Sequence, residues 1–106
     1  MKISLSLILP VFNAELYLKK SLDSLLNQSF DFFELIIVND GSTDGSLSII
    51  KDYEKLDPRI IIINRENKGL VYSLNEAISI SKGDFIVRMD ADDISYANRL
   101  SLQVKK

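Results

Sequence analysis

Cysteine and histidine are both missing from this chain. Without cysteine there can be no disulfide and no thiolate nucleophile or ligand, and a reducing compartment is the plain reading. Without histidine the Ser-His and Cys-His triads, an imidazole general base and the usual zinc sites all fall away. Neither sign of charge dominates. The net charge is -2 and no Lys/Arg cluster stands out, so nothing draws the chain toward nucleic acid. No apolar run is long enough to span a bilayer. The apolar opening from Met1 to Phe12 is interrupted by Ser4 and Ser6, ends near Pro10 and lacks a small-residue cleavage site, so it reads as a strand and not a signal peptide. Neither a P-loop nor G-x-G-x-x-G occurs, which counts against kinase-like and dinucleotide folds. Any chemistry must rest on carboxylates, hydroxyls, amides, cations or a bound metal.

What is present is a single-domain length of 106 residues with ordinary apolar content and four β-rich runs. Leu5 to Leu9 is a short apolar strand broken by Pro10. Asn13 is placed to cap a helix marked by Leu18, Leu22, Leu25 and Leu26. Phe33 to Val38 is the second strand, ending in the turn Asn39 to Gly45. Leu47, Ile50, Tyr53 and Leu56 give a second helix, stopped by Asp57-Pro58. Ile60 to Ile63 is a strand apolar on both faces, and Asn64 to Gly69 a polar turn. Leu70, Leu74, Ala77 and Ile78 mark a third helix that Lys82-Gly83 ends. Phe85 to Met89 is the fourth strand, and Ala97 to Lys106 begins a fourth helix. Strands alternating with helices at roughly thirty-residue intervals predict βαβ units in a parallel sheet. Strands apolar without alternation fit a sheet covered on both faces. The expected class is α/β, a three-layer Rossmann-like parallel sheet. A right-handed path returning strand four beside strand one gives the order 3-2-1-4.

In such a sheet every strand ends on one edge, and ligands bind outside it where the order reverses. The polar punctuation falls at those ends: Pro10 to Asn13, Asp40 to Gly45, Asn64 to Gly69 and Asp90 to Asp93. Three carboxylates crowd the last of these, Asp90, Asp92 and Asp93. Such crowding is costly unless the residues are solvated, cap a helix or hold a hard divalent cation. Asp40 could accept hydrogen bonds from a ribose or base, or cap a helix. Gly41 and Gly45 would let backbone pass close to a ligand, or only turn the chain. Asp92 could ligate a metal bridging a diphosphate while Asp90 holds a sugar hydroxyl. Arg65, Lys68 and Arg88 are candidate phosphate partners, with a solvated charge or an ion pair as the blander alternative.

Two other motifs compete. Asp40 to Gly45 matches the first half of a calcium-binding EF-hand loop, but Lys51 occupies the twelfth position where a bidentate Glu is required. Asp90-Ala91-Asp92-Asp93-Ile94 also resembles the nucleophile loop of haloacid-dehalogenase-type phosphatases, although that loop normally follows the first strand. A non-catalytic nucleotide- or metal-binding module is a further alternative.

Four fragments in order carry a more specific resemblance: Leu9 to Asn13, Val38 to Ser46, Asn67 to Leu70 with Leu74-Asn75, and Arg88 to Ser95 leading into Arg99-Leu100. Together they resemble the N-terminal, donor-binding half of a family 2 glycosyltransferase with the GT-A fold, across nearly all of residues 1–106. Phe12 stands where family members usually have Tyr, and Ala97-Asn98 where a Pro commonly precedes Arg-Leu. The resemblance implies a nucleotide-sugar donor, UDP- or dTDP-linked, with Mn²⁺ or Mg²⁺ as cofactor. It implies that Pro10, Val11, Phe12, Asn13 and Asp40 contact the nucleoside, with Asn67, Gly69 and Ala91 also on the nucleotide. Asp90 would hold the ribose region and Asp92 the metal. Transfer would be inverting, to a saccharide or lipid-linked acceptor, as in bacterial cell-envelope polysaccharide synthesis. The general base and acceptor site are expected beyond Lys106, which makes a C-terminally truncated piece the expectation, with uncovered apolar surface favouring self-association. A cytoplasmic place, at the inner face of the membrane, follows by analogy alone.

Overall fold

The computed structural model describes residues 5–27 and 33–89. The elements are β1 (Leu5–Val11), α1 (Glu15–Leu26), β2 (Phe33–Asp40), α2 (Ser46–Leu56), β3 (Ile60–Arg65), α3 (Leu70–Ile80) and β4 (Phe85–Arg88). All strand pairings are parallel and the sheet order is β3-β2-β1-β4, as expected from the sequence. The fourth helix expected from Ala97 lies outside the described residues.

Side chains alternate across the pleat, and the alternation sorts the core into two layers. Leu5, Leu7 and Leu9 of β1 pack with Leu35 and Ile37 of β2 against Leu18, Leu22 and Leu25 of α1 and Ile50 of α2. On the opposite face Ile8, Ile36 and Val38 pack against Ala77 and Leu74 of α3. β3 feeds both layers, Ile62 to one and Ile61 and Ile63 to the other, which is why all its isoleucines are needed. Helices therefore cover both faces, the three-layer arrangement.

The strands run further than the apolar pattern indicates. β1 continues through Pro10 to Val11, β2 to Asp40 and β3 to Arg65. Pro10 is tolerated for a geometric reason. A parallel strand points successive residues' backbone groups to alternate sides, and the Ile8 carbonyl faces β4, accepting from Met89 N–H at 2.8 Å. Pro10 thus faces the same side, where the β1–β4 ladder has already ended at Ile8 and Arg88. The strand ends on β2 and β3 are polar yet paired, Asn39 with Asn64 and Asp40 with Arg65.

Two helical stripes also differ from expectation. Leu56 is 82% exposed, and α2 buries Ser46 beside the expected Ile50. On α3 the buried positions are Ser73 and Ala77, while Leu70 and Ile78 are about half exposed. At the far edge of the sheet Glu34 fixes the connection from α3 to β4. Its Oε2 accepts from Ser6 Oγ and Lys82 N–H, both at 2.6 Å, and Ser6 Oγ accepts from Gly83 N–H. A side chain on Gly83 would meet the Leu5–Ser6 backbone at 2.6 Å, so glycine is required there.

Candidate functional site

The C-terminal edge of the sheet carries a cleft of about 350 Å³ on the face covered by α3. Register explains its lining. Pro10, Asp40 and Arg88 are in register with Val38, Arg65 and Ile8 respectively, which puts all three on the α3 face. Val11 and Phe12 continue the β1 wall, and Asn67, Gly69, Leu70 and Ser73 form the opposite wall at the start of α3. Six of the expected nucleotide contacts, Pro10, Val11, Phe12, Asp40, Asn67 and Gly69, thus meet in one cleft. Asp90, Ala91 and Asp92 lie outside the described residues; Met89, at the end of β4, immediately precedes them.

Asp40 is the electrostatic centre of the cleft. It is 5% exposed, and its Oδ1 accepts from Arg65 Nη1 and from Lys68 N–H at 2.7 Å. Oδ2 accepts from Gly69 N–H at 3.0 Å, and the Asp40 carbonyl accepts from the Asn67 side-chain amide. Burial pushes the Asp40 carboxyl upward, but hydrogen bonds from Lys68, Arg65 and Gly69 outweigh it and hold the group below its ordinary value. Asp40 is therefore a carboxylate in the neutral range, an acceptor only. Asp40 caps no helix of its own; it clamps the loop that leads into α3.

Arg65 forms the ion pairs that were the blander alternative for its charge. Its guanidinium bridges Asp40, Glu76 through Nε at 2.6 Å and Ser73 Oγ through Nη2 at 2.7 Å, and reaches the Glu66 carbonyl. It also lies 4.9 Å above the Tyr72 ring. Burial disfavours its charge, yet hydrogen bonds to Glu76 and Asp40 more than compensate and raise its pKa. The Lys68 ammonium sits 5.1 Å over the same ring.

Asn13 is neither a helix cap nor a lining residue. It adopts a left-handed conformation with φ of 50°, its Oδ1 accepts from Thr43 N–H at 2.7 Å, and its own N–H donates to Ser42 Oγ. The start of α1 is satisfied from across the edge, Ala14 N–H by Ser46 Oγ and Glu15 N–H by Asp44 Oδ2. Asp44 Oδ1 accepts from Ser46 N–H, so one carboxylate ties two helix starts together. Hydrogen bonding, first from Ser46, keeps its pKa low. Gly41 lies close against another loop: at φ of 74° a Cβ would lie 2.5 Å from Asn67 N.

Leu70 and Ser73 were not indicated by the sequence as lining residues. Ser73 had a readable signal, a polar residue four before the buried Ala77 on the inner helical stripe; Leu70 had none. Among the described residues no group of three or more Asp or Glu side chains is placed to hold a metal.

Comparison with known proteins places this edge in context. The family model "Glycosyl transferase family 2" matches residues 6–106. EpsH of Bacillus subtilis (strain 168), a glycosyltransferase by name, is 44% identical over 90 residues, covering 85% of this chain and 26% of EpsH. S. aureus TarS 1–349 in complex with UDP-GlcNAc matches with a TM-score of 0.85 at 30% identity, over 92% of this chain and 29% of that one. The mannosyltransferase PcManGT from Pyrobaculum calidifontis, in complex with GDP-Man and Mn²⁺, shares the fold with a TM-score of 0.82 at 23% identity, over 95% of this chain and 31% of its own. The chain thus spans about a quarter to a third of these relatives. A family match over nearly the whole sequence, on a 3-2-1-4 sheet shared with GT-A enzymes, shows that the chain belongs to glycosyl transferase family 2.

Proposed function

We propose that this chain binds the nucleotide part of a nucleotide-sugar donor in the cleft beside α3, as the donor-binding part of a glycosyltransferase. The observation that carries the reading is the meeting of Pro10, Val11, Phe12, Asp40, Asn67 and Gly69 around one cleft at the sheet edge. The TarS neighbour, solved with UDP-GlcNAc, supports a donor of that class. Phe12, 54% exposed, offers a ring face to a base, and Asp40 an ionised acceptor to its edge. A UDP- or dTDP-linked donor fits an acceptor-only carboxylate, because uracil and thymine carry a ring N–H.

Both Asp40 oxygens already accept hydrogen bonds, so Asp40 is a poor metal ligand, and ligation of Mn²⁺ or Mg²⁺ falls to Asp92, with Asp90 toward the ribose. A bound cation would supply charge neutralisation to the departing diphosphate. Inverting transfer to an acceptor hydroxyl, a cell-envelope polysaccharide as product class and action at the cytoplasmic face of the membrane belong to the same proposal. Among the described residues no helix is long and apolar enough to cross a membrane. Family membership removes the reason for the phosphatase alternative.

Calorimetric titration with UDP, with and without Mn²⁺, tests the reading. Metal-dependent UDP binding that is lost in Asp92→Ala is expected. Indifference to UDP in the presence of Mn²⁺ would overturn it.

A further inference from the structure

Two acidic side chains of β2 face α3, Glu34 at the start of the strand and Asp40 at its end. Each takes backbone N–H groups from one end of the α3 unit, Asp40 from Lys68 and Gly69 before the helix and Glu34 from Lys82 after it. Ser6 Oγ, which donates to the same Glu34 oxygen at 2.6 Å, accepts from Gly83 N–H at 2.8 Å. Glu34 is 3% exposed, and its other oxygen has no partner among the described residues, so burying this side chain costs desolvation. Its contacts fix the point where the chain enters β4. Little else fixes how far β4 advances along β1. The two strands pair from Leu5 to Ile8 against Phe85 to Arg88. Phe85, Ile86 and Val87 are apolar in succession, so the pattern specifies register weakly. A slip of two residues would keep every side chain on its face while carrying the far end of the strand about 7 Å along the sheet.

We propose that Glu34 is a positioning residue for the cleft, acting from the opposite edge of the sheet: by holding Lys82 and Gly83 it sets the register of β4, and with it the place of Arg88 and of the carboxylates that follow Met89. The proposal rests on the donor-binding reading above. An extended chain transmits such an anchor because it barely stretches, and at about 3.3 Å per residue the run from Gly83 to Met89 covers about 20 Å. Gly83 belongs to the same device, since a Cβ there would meet the Leu5–Ser6 backbone and lift the turn off β1. At the far end Arg88 lines the cleft, and Met89 N–H is bonded to the Ile8 carbonyl. Asp40 fixes the entry to α3 and Glu34 its exit, so both walls of the cleft, α3 and β4, are aligned on β2.

The test compares the native full chain, Glu34→Leu, Glu34→Gln and Ser6→Ala with Ile50→Val, a mild core change in the other layer, under conditions where each is folded. Calorimetry gives UDP affinity in the presence of Mn²⁺. Hydrogen exchange, without metal or nucleotide, follows Met89 N–H against the amides of α2. Glu34→Leu removes the acceptor and should weaken UDP at least about tenfold, while speeding exchange at Met89 more than in α2. Glu34→Gln keeps an acceptor oxygen for Ser6 and Lys82 and should lose less than about threefold. Ser6→Ala cuts the relay to Gly83 but leaves Lys82 on Glu34, so about a threefold loss with the same selective exchange is expected; it decides the matter if Glu34→Leu does not fold. Ile50→Val should leave UDP affinity unchanged. Native UDP affinity in Glu34→Leu and Ser6→Ala, or exchange at Met89 that moves only in step with α2, would show the clamp to be merely structural and overturn the proposal while leaving the donor-binding reading intact. A native chain indifferent to UDP with Mn²⁺ would instead sink that reading, and the proposal with it.

Discussion

Removing Asp40 should destabilise the fold far more than removing an exposed carboxylate, and a double-mutant cycle with Arg65 can show why. The two side chains are 8% and 13% exposed, so the pair is not a solvated surface contact. Asp40→Ala leaves Arg65 with Glu76 and Ser73 but bares the N–H groups of Lys68 and Gly69. Breaking a buried pair from one side costs about 3–5 kcal/mol, and the remaining partners of Arg65 place this case at the lower end, about 3 kcal/mol. Arg65→Met should cost about 2 kcal/mol, because Asp40 keeps two backbone donors. In the double variant neither member of the buried pair faces the other's absence, and only the partly exposed Glu76 loses its partner, so the loss should fall short of the sum by about 2 kcal/mol. Urea unfolding followed by circular dichroism gives each free energy, with equal slopes confirming that the denatured states are comparable. A coupling below about 0.5 kcal/mol, as for an exposed pair, would refute the idea that this ion pair locks the β3–α3 loop to β2.

Acid should destabilise the protein through Asp40 and Asp57, both held below the ordinary 3.8 in the folded state, Asp57 chiefly by Arg59. Their stabilisation is complete above that value and is lost as pH falls through the lower folded values, which a urea midpoint series in acid would follow. Tyr53 donates to Asp23 at 2.5 Å, and burial followed by that carboxylate raises its pKa to about 12, so its contribution is full below pH 10 and fades toward 12. Tyr53→Phe should cost about 1 kcal/mol at neutral pH and flatten the alkaline loss between those values, read by thermal melts. Gly41→Ala should cost at least about 2 kcal/mol, from left-handed strain and contact with Asn67, and lower the melting temperature by about 10 °C. Val71 on α3 and Ile86 on β4 are 72% and 45% exposed, so sedimentation velocity should show concentration-dependent self-association that Val71→Glu reduces.

The fold was legible in the sequence because its signals are additive along the chain. Leu18, Leu22 and Leu25 recur at helical spacing and are all buried, and the four isoleucines of β3 serve both layers. Strand ends were less legible, since Asn39, Asp40, Asn64 and Arg65 look like loop residues. They are strand residues because backbone pairing with the neighbouring strand is indifferent to side-chain polarity at a sheet edge. The inner stripe of α3 was misjudged for a related reason. Ser73 is buried because Arg65 gives its hydroxyl a partner, and no periodicity in apolar residues can reveal a hydroxyl made acceptable by a distant guanidinium.

At the site the residues that gather were readable, but not what each one does. Asn13, Gly41 and Arg65 all looked like candidates for a ligand contact or a helix cap, and each is set against a neighbouring element. The reason lies in the architecture. A sheet edge that presents several loops must satisfy their backbone groups before it can present any of them, because a loop with unpaired polar groups has no single conformation. Thr43 N–H needs Asn13, Glu15 N–H needs Asp44, and Lys68 and Gly69 need Asp40. The polar density of these loops is thus partly an internal lattice, and among the described residues the positions that line the cleft include the ring of Phe12, the walls at Pro10 and Leu70, and Arg88. A cleft built this way is set before a ligand arrives, which reduces the ordering any ligand must impose on binding.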